Sequence, residues 1–438
     1  MHIAIVTAGG AGMFCGSCMH DNAWARALIA AGHRATLIPT YTPIRVDEED
    51  LSIDRVFFGG INVYLDARSR LWRSLPPVFK KWLDRPGVIS AITRWAGGVS
   101  NSAADLGDLT LAILEGEAGP LREAGDELAR FLRDLNPDAV IFSNALLCGA
   151  VRRLKELYRG PVYCILQGDD VFLDELTPAL RRQAVERISA RAAEFDGFIA
   201  HSAFYRDYIA AYLQLPVEKF FTIPLSIDAS ELPVPAEPRP ADAPFTIGYF
   251  ARLAPEKGLH HLIDAFEIHH RSHPDSRLRI GGYLPERHVK WVENLKARAQ
   301  KLDGAVEFVG SPDTLEEKRD FYRSIDVLSV PTEFLEPKGI YVLEALATGV
   351  PVVQPAHGAF PELLEATEGG LLVPPKNPVA LADTFSRLKA DRAERRRLGE
   401  RGARGVRESH SPAALAAATI RGLEASAAST ASLPVKLP

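Results

Sequence analysis

Pro331-Thr-Glu-Phe-Leu-Glu336-Pro-Lys-Gly339-Ile-Tyr-Val-Leu-Glu344-Ala-Leu-Ala-Thr-Gly349-Val-Pro351-Val-Val is the stretch on which the reading of this chain turns. It follows the apolar run Val327–Val330, passes through a turn holding Glu336, and enters a helical pattern at about Gly339. N–H groups at a helix start have no partner within the helix, so the amides of Gly339, Ile340 and Tyr341 offer an anion site. Glu344 falls a turn and a half into that helix, inside Val-Leu-Glu-Ala-Leu. A carboxylate among apolar neighbours needs a partner, because an unpaired buried charge is expensive. A ribose diol would be one.

Outward from this segment, short β-branched runs alternate with amphipathic stretches along the whole chain. Upstream strand candidates are Ile3–Thr7, Ala35–Pro39, Ala139–Phe142, Val162–Leu166, Gly197–Ala200 and Phe221–Ile223. Downstream ones are Thr246–Phe250, Arg277–Ile280, Val306–Val309, Val327–Val330, Val352–Gln354 and Leu371–Val373. Helical patterns such as Met19–Ala31, Leu121–Leu135, Leu259–His270 and Ile340–Ala347 lie between them. Such alternation marks βαβ units and parallel sheets. Five prolines in Glu231–Pro244 interrupt it, and neither a helix nor a central strand tolerates them. The expectation is an α/β chain of two doubly wound domains with a cleft between them. The first covers residues 1–228, a linker 229–244, and the second domain 245–410. A helix over 411–424 and a frayed Ala/Ser tail over 425–438 follow.

Composition agrees. The 438 residues are 47% hydrophobic, 24% charged and 8% aromatic, which excludes disordered, collagen-like and disulfide-scaffold classes. Lys+Arg 51 against Asp+Glu 56 gives a net charge of -5, so no global basicity draws the chain to nucleic acid. No apolar run approaches the ~20 residues of a membrane-spanning helix. Met1-His-Ile-Ala-Ile-Val-Thr7 lacks a basic leader and reads as a first strand, not a signal peptide. Four cysteines without a dense pattern point to a reducing compartment. The expected location is the cytoplasm.

A second informative motif is Ile247-Gly-Tyr-Phe-Ala-Arg252-Leu-Ala-Pro-Glu-Lys257-Gly258, a strand and short loop before a helix. Acids, not bases, are favoured at a helix N-terminus, so Arg252 and Lys257 there suggest an anionic ligand such as a diphosphate. Fixed cations at a leaving group that gains negative charge lower the barrier.

Together these motifs resemble the family 4 retaining glycosyltransferases of the GT-B fold, whose hallmark is two glutamates with seven residues between them. Glu336 and Glu344 have that spacing, and the Ala-Leu-Ala-Thr-Gly-Val-Pro-Val-Val continuation matches too. Weaker echoes follow in order at Val309-Gly310, His357-Gly-Ala-Phe-Pro361-Glu362 and Gly369-Gly370-Leu-Leu-Val-Pro374. The resemblance covers most of 247–377. It implies two Rossmann-like domains facing a cleft, with the helix from Ser411-Pro412 returning to the first. It also implies transfer of a sugar from a nucleotide-diphosphate donor to a hydroxyl acceptor with retention. Glu336 would meet the donor sugar's hydroxyls and Glu344 the ribose. Arg252 and Lys257 would clamp the diphosphate, while Val309 and Gly310 lie near the nucleobase. The leaving diphosphate would help deprotonate the acceptor, so no metal or other cofactor is required. One departure is Glu336-Pro337-Lys338-Gly339 where the family has Glu-Gly-Phe-Gly. Proline removes a backbone donor and lysine adds a charge at the sugar end, which leaves the donor sugar open.

In the first domain, Gly9-Gly10-Ala11-Gly12 after strand one lets backbone approach a ligand. The family resemblance turns Gly10 and Gly12 toward the acceptor and the donor phosphates. A dinucleotide site is the rival, but the glycine spacing is imperfect and no ribose-binding acid follows strand two. Cys15 and Cys18 form C-x-x-C, yet Cys148 and Cys164 are isolated and His20 is badly spaced, so no zinc site is expected. Gln167, where family members carry a histidine, ends a strand together with Asp169 and Asp170. Either aspartate could meet an acceptor hydroxyl, or cap the next helix. Asn144 is a lesser candidate, and His201-Ser202 reads as a helix cap. Finally, residues 70–95 hold Arg70, Arg73, Lys80, Lys81, Arg85 and Arg94 against Asp84, interleaved with Trp72, Phe79, Trp82 and Trp95. That pattern suits an anionic lipid surface or a polymeric acceptor as well as a solvated face. Three rivals stand beside the transferase: a nucleotide-sugar epimerase, a phosphorylase, and a catalytically silent carbohydrate-binding protein.

Overall fold

The computed structural model describes residues 1–9, 16–44, 46, 49–58, 103–236, 239–240, 242–312 and 314–431. Gly10, Gly12, Cys15 and the basic segment 70–95 lie outside the described residues. The chain divides into two compact units, Met1–Ile223 with Leu415–Pro438, and Pro224–Ala414.

The first unit is built on six parallel strands: β1 (His2–Thr7), β2 (Arg34–Pro39), β3 (Ala139–Phe142), β4 (Val162–Ile165), β5 (Gly197–Ala200) and β6 (Phe220–Thr222). Their order is β2-β1-β3-β4-β5-β6. Alternate side chains of β1 enter different cores, as a period of two requires. Ile3 and Ile5 join Trp24 and Leu28 of α1 (Gly16–Ala30) on one face. Ala4 and Val6 join Leu128, Leu132 and Leu154 on the other. Covering both faces explains why the strand reads as an unbroken apolar run.

The second unit repeats the plan with β7 (Thr246–Phe250), β8 (Arg277–Gly281), β9 (Val306–Gly310), β10 (Val327–Leu328), β11 (Val352–Pro355) and β12 (Gly370–Val373). Their order is β12-β11-β10-β7-β8-β9, again with every pair parallel. In each sheet the chain reverses its direction of travel beside the first strand, between β1 and β3 and between β7 and β10. Open α/β sheets bind ligands outside the carboxyl ends of the strands at such a switch point.

Several elements differ from the sequence expectation. Helices α2 (Asp169–Asp174), α3 (Ala203–Leu213) and α7 (Phe360–Thr367) lie outside the expected helical runs, although the cap read at His201-Ser202 stands at the start of the second. The second is rich in aromatic residues, which favour strands, but Ser202 caps it by accepting from the Tyr205 amide at 3.1 Å. The proline-rich stretch is anchored: Leu232 is buried in the second unit's core and Arg239 lies 3.6 Å from Asp326. The last helix, α8 (Pro412–Ala431), runs past residue 424, where alanine, the best helix former, sustains it. It packs Leu415 and Leu423 into the first unit's core, and Thr419 accepts from Trp24 Nε1 at 2.9 Å. Among the described residues no helix is long and apolar enough to cross a membrane.

Candidate functional site

At the switch point of the second unit, the loops after β7 and β10 meet. Gly258, which precedes α4 (Leu259–Ser272), has φ +71°, and a Cβ there would sit 1.8 Å from the Pro331 carbonyl oxygen. Only glycine permits this approach. It brings Lys257 Nζ to 2.7 Å from Glu336 Oε2, with both side chains largely buried. Tyr341 OH donates to the same oxygen at 2.9 Å, and the Lys338 amide donates to Oε1 at 3.4 Å. Burial pushes the Glu336 carboxyl up, but the Lys257 charge and these hydrogen bonds outweigh it, so the group stays below its ordinary value. The ammonium also lies 4.7 Å over the Phe334 ring. A second close approach completes the cradle. A Cβ on Gly358 (φ +63°) would meet the Glu336 amide nitrogen at 2.6 Å, and the Ala359 amide donates to Glu336 O at 2.8 Å.

Arg252 does not join Lys257 directly; its guanidinium pairs with Glu256 one turn on. Glu344 is buried in α6 (Ile340–Ala347), which Gly339 begins. Its partners come from α5 (Leu315–Arg323): Lys318 Nζ at 3.2 Å on one oxygen and Tyr322 OH at 2.7 Å on the other. The buried charge that sequence left wanting a ribose is therefore paired within the chain. Lys318 and Tyr322, like the Tyr341 hydroxyl, escaped sequence reasoning. Their signal was i,i+4 spacing on a helix opened by the Thr314–Glu317 capping box. Gly310 ends β9 at φ +81° with open space above it, beside Val309.

The first unit's switch point is polar in a different way. Gln167 donates from Nε2 to Asp21 Oδ1 at 3.1 Å and to Ser143 O at 3.3 Å. Thr7 Oγ1 donates to the other Asp21 oxygen at 2.6 Å. Asp169 caps no helix of its own: Gly168 is the N-cap of α2, and the Asp169 carboxylate accepts instead from the Ala145 amide at 2.7 Å and the Gln167 amide at 3.1 Å. It thereby ties the end of β4 to the segment after β3. Burial raises its pKa to about 6 despite those amides. Asp170, also raised by burial, accepts from Tyr205 OH at 2.6 Å. Asn144 has a buried Oδ1 with no hydrogen-bond partner among the described residues. Asp21 and Tyr205 were missed, since neither stands in a motif.

A third group, also missed, lies beside the Lys257–Glu336 pair. His260 and His261 open α4, and their Nε2 atoms lie 2.7 and 3.1 Å from Glu333 Oε1. Burial lowers the His261 pKa first, with the neighbouring His260 assisting. Burial opposes ionisation of Glu333, but His260, Lys376 and His261 hold it below its ordinary value.

Comparison with known proteins agrees with this layout. Residues 234–405 match the glycosyl transferases group 1 family. Over 98% of this chain's fold there is a counterpart in sucrose-phosphate synthase from Thermosynechococcus elongatus, with TM-score 0.68, 20% identity and 100% of that chain covered. Anabaena Alr3699/HepE in complex with UDP superposes with TM-score 0.69 at 16% identity, over 97% of this chain and 100% of that one. The fold is GT-B. Among curated proteins, the chain is 28% identical to glycogen synthase of Mycobacterium tuberculosis H37Rv, over 63% of its own length and 65% of that protein. It thus spans less than two thirds of that relative.

Proposed function

We propose that this chain is a retaining glycosyltransferase of family 4 type, moving a sugar from a nucleotide-diphosphate donor onto a hydroxyl acceptor. The observation that carries the reading is the buried Lys257–Glu336 pair at a sheet switch point, next to the start of α6. A carboxylate held ionised there can accept from donor-sugar hydroxyls. The ammonium has three donors, so it can keep Glu336 and still reach a phosphate oxygen. Arg252, one loop away, supplies the second cation, and Glu344, aligned by Lys318 and Tyr322, receives the ribose. Val309 and Gly310 border the base.

As the bond from the anomeric carbon to the diphosphate breaks, negative charge grows on the diphosphate. Lys257, Arg252 and the amides of Gly339, Ile340 and Tyr341 stabilise that charge more in the transition state than before it. The acceptor oxygen attacks the same face, and its proton passes to the departing diphosphate, giving a glycoside with retained configuration and a nucleoside diphosphate. No step needs a metal. Gln167, Asp170 and Asn144 are the proposed acceptor-side groups; Asp169, with both oxygens on backbone amides, positions that wall. UDP bound to the Anabaena neighbour supports a nucleotide at this fold.

The test is a thermal-shift screen of uridine, guanosine and adenosine diphosphate sugars, followed by nuclear magnetic resonance of any product. Stabilisation by one donor and a product anomer matching that donor are expected. Inverted product would overturn retention. No stabilisation by any donor would overturn the donor site.

A further inference from the structure

We propose that His260, His261 and Glu333 form a three-ligand site for a divalent transition cation, zinc foremost. One donor atom from each of the three residues lies within 4.8 Å of the others. Tetrahedral zinc holds its nitrogen and oxygen ligands at about 2.0–2.2 Å, which puts the ligand atoms about 3.4 Å apart. The two measured edges, 2.7 and 3.1 Å, need only small adjustments to reach that spacing. The His261 Nε2 atom is buried and, among the described residues, meets no partner in good hydrogen-bond geometry, with the carboxylate 3.1 Å away. Two imidazoles and one carboxylate are the donor set of a zinc site with its fourth position open. Lys376, the competing cation, sits 3.5 Å from Oε2 and leaves Oε1 to the imidazoles. Trp291, 6.0 Å from the His260 ring in an edge-on arrangement, holds that ring in place.

The position gives the cation a structural task. Glu333 belongs to the loop that carries Glu336, and the Glu333 amide donates to Glu256 O at 2.9 Å. His260 and His261 follow Lys257 and Gly258 directly. A bound cation would therefore clip together the two segments that supply the Lys257–Glu336 pair. It touches none of the groups assigned to the donor, so the site stands or falls apart from that reading.

Zinc uptake decides it. The whole chain, stripped with chelator and dialysed against buffered free zinc, should hold one zinc per chain by elemental analysis. Its melting temperature should rise by a few degrees when zinc is restored. His261→Ala and Glu333→Gln should each weaken zinc binding at least 10-fold, while His33→Ala, in the other unit, should leave it unchanged. Glu333→Gln keeps the side-chain shape, so it decides the matter if His261→Ala does not fold. A wild-type chain without stoichiometric zinc, or variants that retain it, would overturn the site. Because the readout is metal content, failure here leaves the donor reading untouched.

Discussion

The two sheets place polar groups at equivalent switch points, yet they treat charge in opposite ways. In the second unit a buried carboxylate, Glu336, is kept ionised by an ammonium. In the first, Asp169 is held by backbone amides alone, and burial raises its pKa to about 6. A countercharge preserves ionisation in a dry site, whereas amide dipoles only offset part of the desolvation cost. One switch point thus keeps a buried carboxylate charged, while burial at the other favours the protonated form.

The largest expected effect comes from removing the countercharge. Lys257→Met leaves Glu336 buried without a countercharge, which should cost about 3–5 kcal/mol in urea unfolding. Turnover should fall about 10²-fold or more. The pH dependence should also weaken. In the wild type, Glu336 has a depressed pKa, so its contribution is present above the unfolded value and is lost as pH falls through the folded one. In the variant only the Tyr341 hydroxyl and the Lys338 amide oppose burial, so the folded pKa rises and the stability lost on acidification shrinks. Unchanged slopes would contradict the contrast between the units.

Next comes Gly258→Ala, which forces a Cβ onto the Pro331 carbonyl at positive φ. A loss of about 1–3 kcal/mol is expected, read as a lowered melting temperature. A neutral result would show that the loops after β7 and β10 are not held by this contact.

Asp169→Asn turns an amide group toward one of two backbone N–H donors and should cost about 1–3 kcal/mol. Because the folded pKa of about 6 lies above the ordinary 3.8, wild-type Asp169 stabilises most below the latter value. That contribution is lost as pH rises through 6. The asparagine variant should lack this slope when unfolding is followed across the range.

How far sequence reaches is visible in these same residues. Glu336, Lys257 and Gly339 stand in motifs at fixed spacing, and the described strands followed from apolar runs, whereas the helices Ala103–Leu114 and Ala203–Leu213 did not. What pairs with what did not. The Lys257–Glu336 contact depends on Gly258 meeting Pro331, residues 73 apart, through hard-sphere sterics. Glu344 finds Lys318 and Tyr322 on another helix, and Asp21 finds Gln167 across the first sheet. Tertiary partners of buried charges leave no periodic trace along the chain.

The smallest effect concerns residues 70–95, outside the described part. Each surface cation adds about 1 kcal/mol toward anionic lipid. Lys80→Glu with Lys81→Glu should release the chain from anionic vesicles in co-sedimentation, with turnover of a soluble acceptor unchanged. Wild-type protein that stays in the supernatant at low salt would remove the lipid reading.

We propose above that the second unit's charged switch point binds a nucleoside diphosphate through Glu344 and its neighbours. Calorimetric titration of uridine, guanosine and adenosine diphosphates into wild type and Glu344→Gln tests it directly. One diphosphate should bind the wild type, and the variant should bind it on the order of 10-fold more weakly, since an amide accepts ribose hydroxyls less strongly than a carboxylate. Equal affinity in the two proteins, or no binding by the wild type, would contradict it.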